Sequence, residues 1–195
     1  QDLSGPGVPW LEAAFDDTRA IATDAEMAKC GVFAALGPHA TDTVSAVLWQ
    51  RIVKEAKALG GLPIHSHFGQ GIAEFETVSK EGCTPVGKLA ANGVLSSGLP
   101  MMLVHGQFVT ANDLELLDKG KHVLCICPRS HMLFAFPTAA RRWQAAAVPI
   151  ALATDAAASN DDMNVQLEMR LLSGLATCEA TSCAEAEELW KAESQ

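Results

Sequence analysis

The chain is short of basic residues: 14 Lys and Arg stand against 23 Asp and Glu, giving a net charge of −9. Contact with the phosphates of a nucleic acid needs a basic face, so this balance argues against a nucleic-acid partner. No apolar run approaches the roughly 18 residues of a membrane span, so no membrane partner is expected. No glycine-rich phosphate loop follows the first predicted strand, which disfavours a dinucleotide-binding fold.

The cysteines fit no zinc-finger spacing. Two of them, Cys125 and Cys127, lie in the apolar run HVLCICP, which favours a buried strand with reduced thiols. Reduced thiols are typical of a reducing compartment, so a cytoplasmic location is expected.

Short apolar segments alternate with helical patterns along most of the chain. Strands are predicted at 31–36, 62–67, 101–105, 122–127 and 149–154. This alternation, with a spacing of about 25–40 residues, is typical of consecutive βα units that form a parallel sheet. The length of 195 residues and the hydrophobic content of 49% are sufficient for one core. We therefore predict one α/β domain over residues 1–195, with five parallel strands and helices between them.

Three of the predicted strands end in a residue suited to metal binding or acid–base chemistry. The segment LPIHSHFGQ carries His65 and His67, which share one face because side chains alternate along a strand. The strand in MMLVHG ends at His105, and the strand in PIALATD ends at Asp155. Parallel α/β sheets bind ligands at the carboxyl ends of their strands. The pattern therefore predicts a metal-hydrolase barrel, although Asp155 could also be an ordinary helix-capping residue.

Several spaced blocks resemble the amidohydrolase superfamily, in its branch of cytosine, guanine and adenosine-analogue deaminases and triazine chlorohydrolases. The similarity covers roughly residues 30–175, and GPHATDTVS resembles the strand-four block of that branch. The family barrel has eight strands, and the similarity places this chain on strands four to eight. It therefore implies a partial TIM-like (β/α)8 barrel that lacks its first strands. The blocks are IHSHFGQ, LVHGQFVTANDLELLDKG, VLCICPRSHMLF and VPIALATDAAASNDDMNVQLEMRLL.

The resemblance implies a role for each of the candidate residues. His67 and Asp155 would be ligands of one Zn²⁺ or Fe²⁺ per site, and Asp155 would also act as a base. His105 would polarise the substrate or the attacking water. A metal ion of this kind lowers the pKa of its bound water from 15.7 to about 7, so the implied reaction is hydrolysis of a C–N or C–Cl bond on a small nitrogen heterocycle.

The remaining histidines have less direct roles in this comparison. His39 would contact the substrate. His131 stands where the family usually has asparagine, and a role in a substrate-binding loop is as well supported for it as a structural role. His65 is expected to be structural. His122, beside Lys121 at the start of a strand, is expected to face solvent.

Two features depart from the family pattern. The family has an HxH motif on its first strand that supplies two metal ligands, and this chain has no histidine before His39. The family also has a catalytic glutamate three residues after the metal-binding histidine, and this chain has Gln70 at that catalytic position. An amide has no titratable proton, so Gln70 could bind a substrate but could not be the general acid. Glu74 and Glu76 are nearby in sequence, with no local signal for where they point.

Five parallel strands cannot close an eight-stranded barrel, and each open edge leaves backbone groups unpaired. The chain could be a fragment of a longer enzyme, one part of a split protein, or a degenerate descendant that only binds. The fragment is favoured, because the blocks are intact apart from position 70. The open edges predict a homo-oligomer or a missing N-terminal half. The rival function is a non-catalytic binding or assembly subunit that has lost its activity through Gln70 and the absent HxH motif.

Overall fold

The computed structural model describes residues 8–136 and 140–179. Four strands, β1 to β4, occupy Ile64–Phe68, Met101–His105, His122–Ile126 and Ile150–Leu152. A short 3₁₀ turn at Leu95–Ser97 precedes β2. The helices, α1 to α9, are Val8–Thr23, Ala25–Lys29, Ala46–Ala58, Ile72–Ser79, Pro85–Ala91, Ala111–Leu114, Pro128–Leu133, Ala140–Ala145 and Val165–Glu179.

The strands form one parallel sheet in the order β1-β2-β3-β4 within the described part of the chain. The register pairs Phe68 with His105, and Ile126 with Leu152, so the carboxyl ends of the strands meet at one edge. Helices follow β1, β2 and β3 and return the chain to the opposite edge. The α/β class and the predicted parallel sheet are confirmed.

The predicted first strand at 31–36 is wrong as a regular strand. Only Leu36 forms a parallel bridge to β1, through Leu36 N–H to Pro63 O at 3.0 Å and His65 N–H to Leu36 O at 2.9 Å. Continuing the ladder would require an N–H from Pro38, and proline has none. The next bond therefore runs from His67 N–H to the carbonyl of His39 at 3.0 Å. The segment lies where a strand was expected, but its pairing is irregular.

The two faces of the sheet differ. One face packs under the helices and contains fully buried residues such as Ile64, Leu103 and Leu124. The other face is only partly covered: His65 is exposed and Met102 is 37% exposed. This second face is the one that would point into a closed barrel.

Capping residues explain several helix boundaries. Asp24 separates α1 from α2 and caps α2 by accepting hydrogen bonds from the N–H groups of Glu26 and Met27. Thr110 caps α6 in a capping box with Asp113. The segment from about Ser182, whose sequence pattern also predicts a helix, lies outside the described residues.

The prediction that His122 faces solvent is wrong. Its side chain is 1% exposed, and its Nδ1 accepts a hydrogen bond from the N–H of Asp118 at 3.0 Å. The turn before β3 therefore folds over the ring.

In the described segments, none of the helices combines the length and apolar character needed to cross a bilayer.

Candidate functional site

Four histidines lie in a row along the carboxyl edge of the sheet. The ring centroids of His39 and His67 are 5.3 Å apart, those of His67 and His105 are 5.1 Å apart, and those of His105 and His131 are 5.3 Å apart. They come from the segment beside β1, from the ends of β1 and β2, and from α7. Because carboxyl ends of parallel strands meet at one edge, residues far apart in sequence are brought together.

Three of these rings are joined by hydrogen bonds. Nδ1 of His67 lies 3.0 Å from Nε2 of His105, and Nδ1 of His105 lies 3.0 Å from Nε2 of His131. Beyond His131, the side-chain amide of Gln107 contacts its ring, with Nε2 to Nε2 at 2.9 Å. The result is a continuous chain of polar groups from the open edge into the interior.

Burial keeps these rings neutral at physiological pH. It lowers the pKa of His105 to about 4 and that of His131 to about 3, in each case helped by the neighbouring histidine. Burial, together with the neighbouring His39, also lowers the pKa of His67. A neutral imidazole has one N–H and one ring nitrogen with a lone pair, so each ring can donate one hydrogen bond and accept another.

Asp155 is held by the residue before His131. Its Oδ2 accepts hydrogen bonds from Ser130 Oγ at 2.7 Å and Ser159 Oγ at 3.0 Å. Burial raises the pKa of Asp155, but the bonds from Ser130, the Ala156 backbone and Ser159 outweigh it, so the pKa is lowered. Asp155 is therefore a carboxylate at neutral pH.

Both strand ends that carry these groups have unusual backbone conformations. His105 has φ of 85° and Asp155 has φ of 60°, in the left-handed region that non-glycine residues rarely occupy. Such conformations cost about 1–3 kcal/mol each and are concentrated at functional sites. Here they occur at the two residues that the resemblance places in catalysis.

Gln70 lines a separate cleft beside the histidine row. The cleft has a volume of about 270 Å³ and is bordered by His39, Gln70, Glu74, Phe134 and Phe136, among others. Glu74, one of the lining residues, is buried, with 6% of its surface exposed. Glu74 accepts a hydrogen bond from the Gln70 backbone N–H at 2.9 Å and another from the hydroxyl of Thr41. The carboxylate missing at position 70 is thus present one helical turn later.

A bound metal ion requires a suitable set of ligands. His67 and Asp155 supply imidazole and carboxylate groups, the types of ligand that zinc takes. Protein zinc sites have at least three ligands, and across residues 8–136 and 140–179 no three His, Cys, Asp or Glu side chains are arranged to hold an ion. The chemistry of the two groups fits a metal, but their number does not complete a site.

The structure therefore brings together most of the residues that the sequence singled out. His39, His67, His105 and His131 form the row, and Gln70 lies in the adjoining cleft. Asp155 reaches the row through Ser130, while His65 points to the open face of the sheet. The described cysteines, among them Cys125 and Cys127, have free thiols, as the sequence predicted.

Sequence reasoning missed four polar residues of this site. Ser130 and Ser159 hold Asp155, Thr41 holds Glu74, and Gln107 contacts His131. Their signal in the sequence is slight: each is a small polar residue or an amide within a few positions of a predicted site residue. Their partners lie on other loops, which only the folded chain brings within hydrogen-bonding distance.

Known proteins share both the sequence pattern and the fold. A model of the amidohydrolase family matches residues 12–193. The 5-methylthioadenosine/S-adenosylhomocysteine deaminase of Moorella thermoacetica is 32% identical over 143 residues, which are 72% of this chain and 33% of that protein. The deaminase of the same name from Teredinibacter turnerae is 37% identical over 140 residues, 69% of this chain and 30% of that protein.

Solved structures agree on the fold. An adenosine deaminase from Xanthomonas campestris with bound zinc superposes with a TM-score of 0.79 at 23% identity, covering 94% of this chain and 40% of that one. A guanine deaminase from C. acetobutylicum with bound guanine gives a TM-score of 0.74 at 15% identity, covering 91% and 45%.

These matches describe a part of a larger fold. The four parallel strands and their helices correspond to part of a TIM-barrel amidohydrolase fold. The chain spans about a third of the length of the two deaminases that it matches in sequence. On the family match and the relatives' identity, the chain belongs to the amidohydrolase family.

Proposed function

We propose that this chain is the part of a metal-dependent aminohydrolase that carries the proton-transfer and substrate-binding groups of the active site. The substrate is a small nitrogen heterocycle, and the bond broken is C–N. The observation that carries this proposal is the hydrogen-bonded row of His67, His105 and His131, next to the carboxylate of Asp155, at the carboxyl edge of a parallel sheet. Membership of a family that includes adenosine-type deaminases supports the choice of bond and substrate.

His67 and Asp155 would hold the metal, with further ligands from protein outside these 195 residues. When bound, a divalent ion lowers the pKa of a coordinated water to about 7. Zinc in the solved adenosine deaminase from Xanthomonas campestris supports this choice of ion. This set of ligand types, imidazole and carboxylate, suits Zn²⁺ or Fe²⁺.

The chain's own groups then perform the proton transfers. Asp155 has a lowered pKa and is a carboxylate, so it accepts a proton. His105 is neutral and fully buried, and its two ring nitrogens are hydrogen-bonded to His67 and His131, so it holds His67 in place without adding a charge to the site. His39, at the mouth of the cleft, contacts the substrate. His131 supports His105 from behind and does not reach the substrate itself.

Protonation of the leaving nitrogen needs an acid, and Gln70 has no proton to give. Glu74 is the carboxyl group in the same cleft. Its two oxygens accept hydrogen bonds from Thr41 and the Gln70 backbone, so its position is fixed. We assign the acid–base role to Glu74 and a substrate hydrogen bond to the Gln70 side chain.

A chimera tests this function. The matched 143 residues of the Moorella thermoacetica relative would be replaced by the corresponding residues of this chain. The chimera is expected to retain zinc through dialysis and to release ammonia from 5-methylthioadenosine. The same chimera with Asp155→Asn should lose both properties, while circular dichroism checks that both proteins fold.

The rival is a non-catalytic binding subunit, and the same experiment separates the two. A folded chimera that holds zinc and binds the nucleoside, but releases no ammonia with or without Gln70→Glu, would favour the binding subunit. A folded chimera that holds no zinc would overturn the proposed roles of His67 and Asp155.

A further inference from the structure

Gln107 stands at the inner end of the histidine chain. It lies two residues beyond His105, its side chain is 2% exposed, and its amide nitrogen contacts both ring nitrogens of His131, Nδ1 and Nε2. In the structure the amide nitrogen faces His131, and the buried oxygen has no hydrogen-bond partner among the described residues. A half-turn of the amide exchanges the two atoms, and only the surrounding hydrogen bonds decide between them.

Three neutral imidazoles in a row have two possible proton arrangements. If His131 carries its proton on Nδ1, then its Nε2 accepts from Nδ1 of His105, whose Nε2 accepts from Nδ1 of His67. Nε2 of His67 is then a free lone pair. If His131 carries its proton on Nε2, every bond reverses and Nε2 of His67 carries a proton. The bonds of 3.0 Å between the rings tie the three tautomers together.

We propose that Gln107 is a positioning residue whose amide oxygen accepts the Nδ1 proton of His131 and thereby leaves a lone pair on Nε2 of His67. Because the Gln107 amide contacts Nδ1 of His131, it selects between the two arrangements. The amide acts over two intervening rings, without touching the substrate or the metal.

Two observations favour this direction over its reverse. The half-turn places the amide oxygen against the Nδ1 proton of His131. Without it, that oxygen is buried with no donor among the described residues, which is unfavourable. The reverse arrangement would also leave His67 with one nitrogen engaged by His105 and the other protonated. His67 could then neither bind a metal nor accept a proton, so this second argument rests on the proposed function.

The test is the tautomer of each ring in the 195-residue chain itself. Long-range proton–nitrogen correlation spectra of the ¹⁵N-labelled protein, recorded near pH 7.5 without metal, distinguish a protonated ring nitrogen from an unprotonated one. We expect Nδ1 to be protonated in His67, His105 and His131. The Gln107→Glu variant, which can only accept at this position, should keep that pattern.

The Gln107→Met variant has a similar length and no hydrogen-bonding amide. Loss of one neutral hydrogen bond of about 1 kcal/mol should shift the tautomer ratio of His67 about fivefold towards the Nε2-protonated form. Amide spectra and thermal melts establish that both variants fold, and Gln107→Glu serves as the matched control for any packing change.

Two results would overturn the inference: a proton on Nε2 of His67 in the unaltered chain, or a His67 tautomer ratio that Gln107→Met leaves unchanged. Failure of the proposed function looks different. If the expected tautomers are found but the zinc-loaded chimera releases no ammonia, the role of Gln107 stands and the aminohydrolase assignment falls.

Discussion

Glu168 on α9 ties together the two loops that hold the site, and its removal provides a direct test of this arrangement. The side chain is 1% exposed. Its Oε1 accepts from Asn160 Nδ2 at 2.6 Å and its Oε2 accepts from the Arg129 backbone N–H at 3.0 Å. Asn160 also donates to the carbonyl of Thr154, next to Asp155, at 2.9 Å. The carboxylate thus joins the loop after β4 to the start of α7.

The substitution Glu168→Gln keeps the shape and removes one acceptor. The amide oxygen can serve only one of the two donors, and the amide nitrogen faces the other donor. Hydrogen bonds to a charged group contribute about 1.5–3 kcal/mol each, and a buried unsatisfied donor costs a similar amount. Because the two effects describe the same lost bond, we expect a decrease of about 2–3 kcal/mol in the free energy of unfolding.

Urea denaturation followed by circular dichroism measures this change. The midpoint should fall while the slope with denaturant stays constant, since the surface exposed on unfolding is unaltered. Glu26→Gln is the control: Glu26 is 80% exposed in an ion pair with Lys29, and such surface pairs contribute at most about 1 kcal/mol. If Glu168→Gln destabilises no more than this control, the carboxylate does not hold the two loops.

Three further predictions concern the site. In the chimera, Glu74→Gln should abolish turnover and Gln70→Glu should leave kcat unchanged, because Glu74 carries the proton; a rise in kcat of about 10²–10⁴-fold with Gln70→Glu, together with a new ionisation in the pH profile, would contradict this assignment. The isolated chain should lose Zn²⁺ on dialysis against a mild chelator, because His67 and Asp155 are fewer than the usual three ligands; stoichiometric zinc by elemental analysis would contradict this. Burial holds the pKa of His105 at about 4, against about 6.5 in an unfolded chain, so as the pH falls from 6.5 to 4 the unfolded state takes up the proton first. The free energy of unfolding should therefore fall over that interval, by at most about 3 kcal/mol for this group, and urea midpoints for His105→Asn should depend less on pH.

Local patterns predicted the architecture well, with the exception of the predicted strand at 31–36. The apolar runs that carry His67 and His105 form strands β1 and β2. The run before Asp155 forms β4, and Asp155 lies three residues after the end of that strand. The segment 31–36 has a similar apolar pattern, but strand formation depends on a partner's ladder as well as on composition. Pro38 prevents that ladder from continuing beyond Leu36, and this consequence becomes visible only once the segment is aligned with β1.

The sequence by itself determined the βα alternation, the family, and the placing of histidines and an aspartate at strand ends, because each of these is encoded within a few consecutive residues. Tertiary structure decided which of those groups bond to one another. His105 meets His131 across 26 positions, and Asp155 meets Ser130 across 25. Side-chain hydrogen bonds between different loops depend on where whole strands and helices lie, to within a few tenths of an ångström. For that reason the contacts of Glu74 and Gln107, which no local motif marks, became visible only in the folded chain.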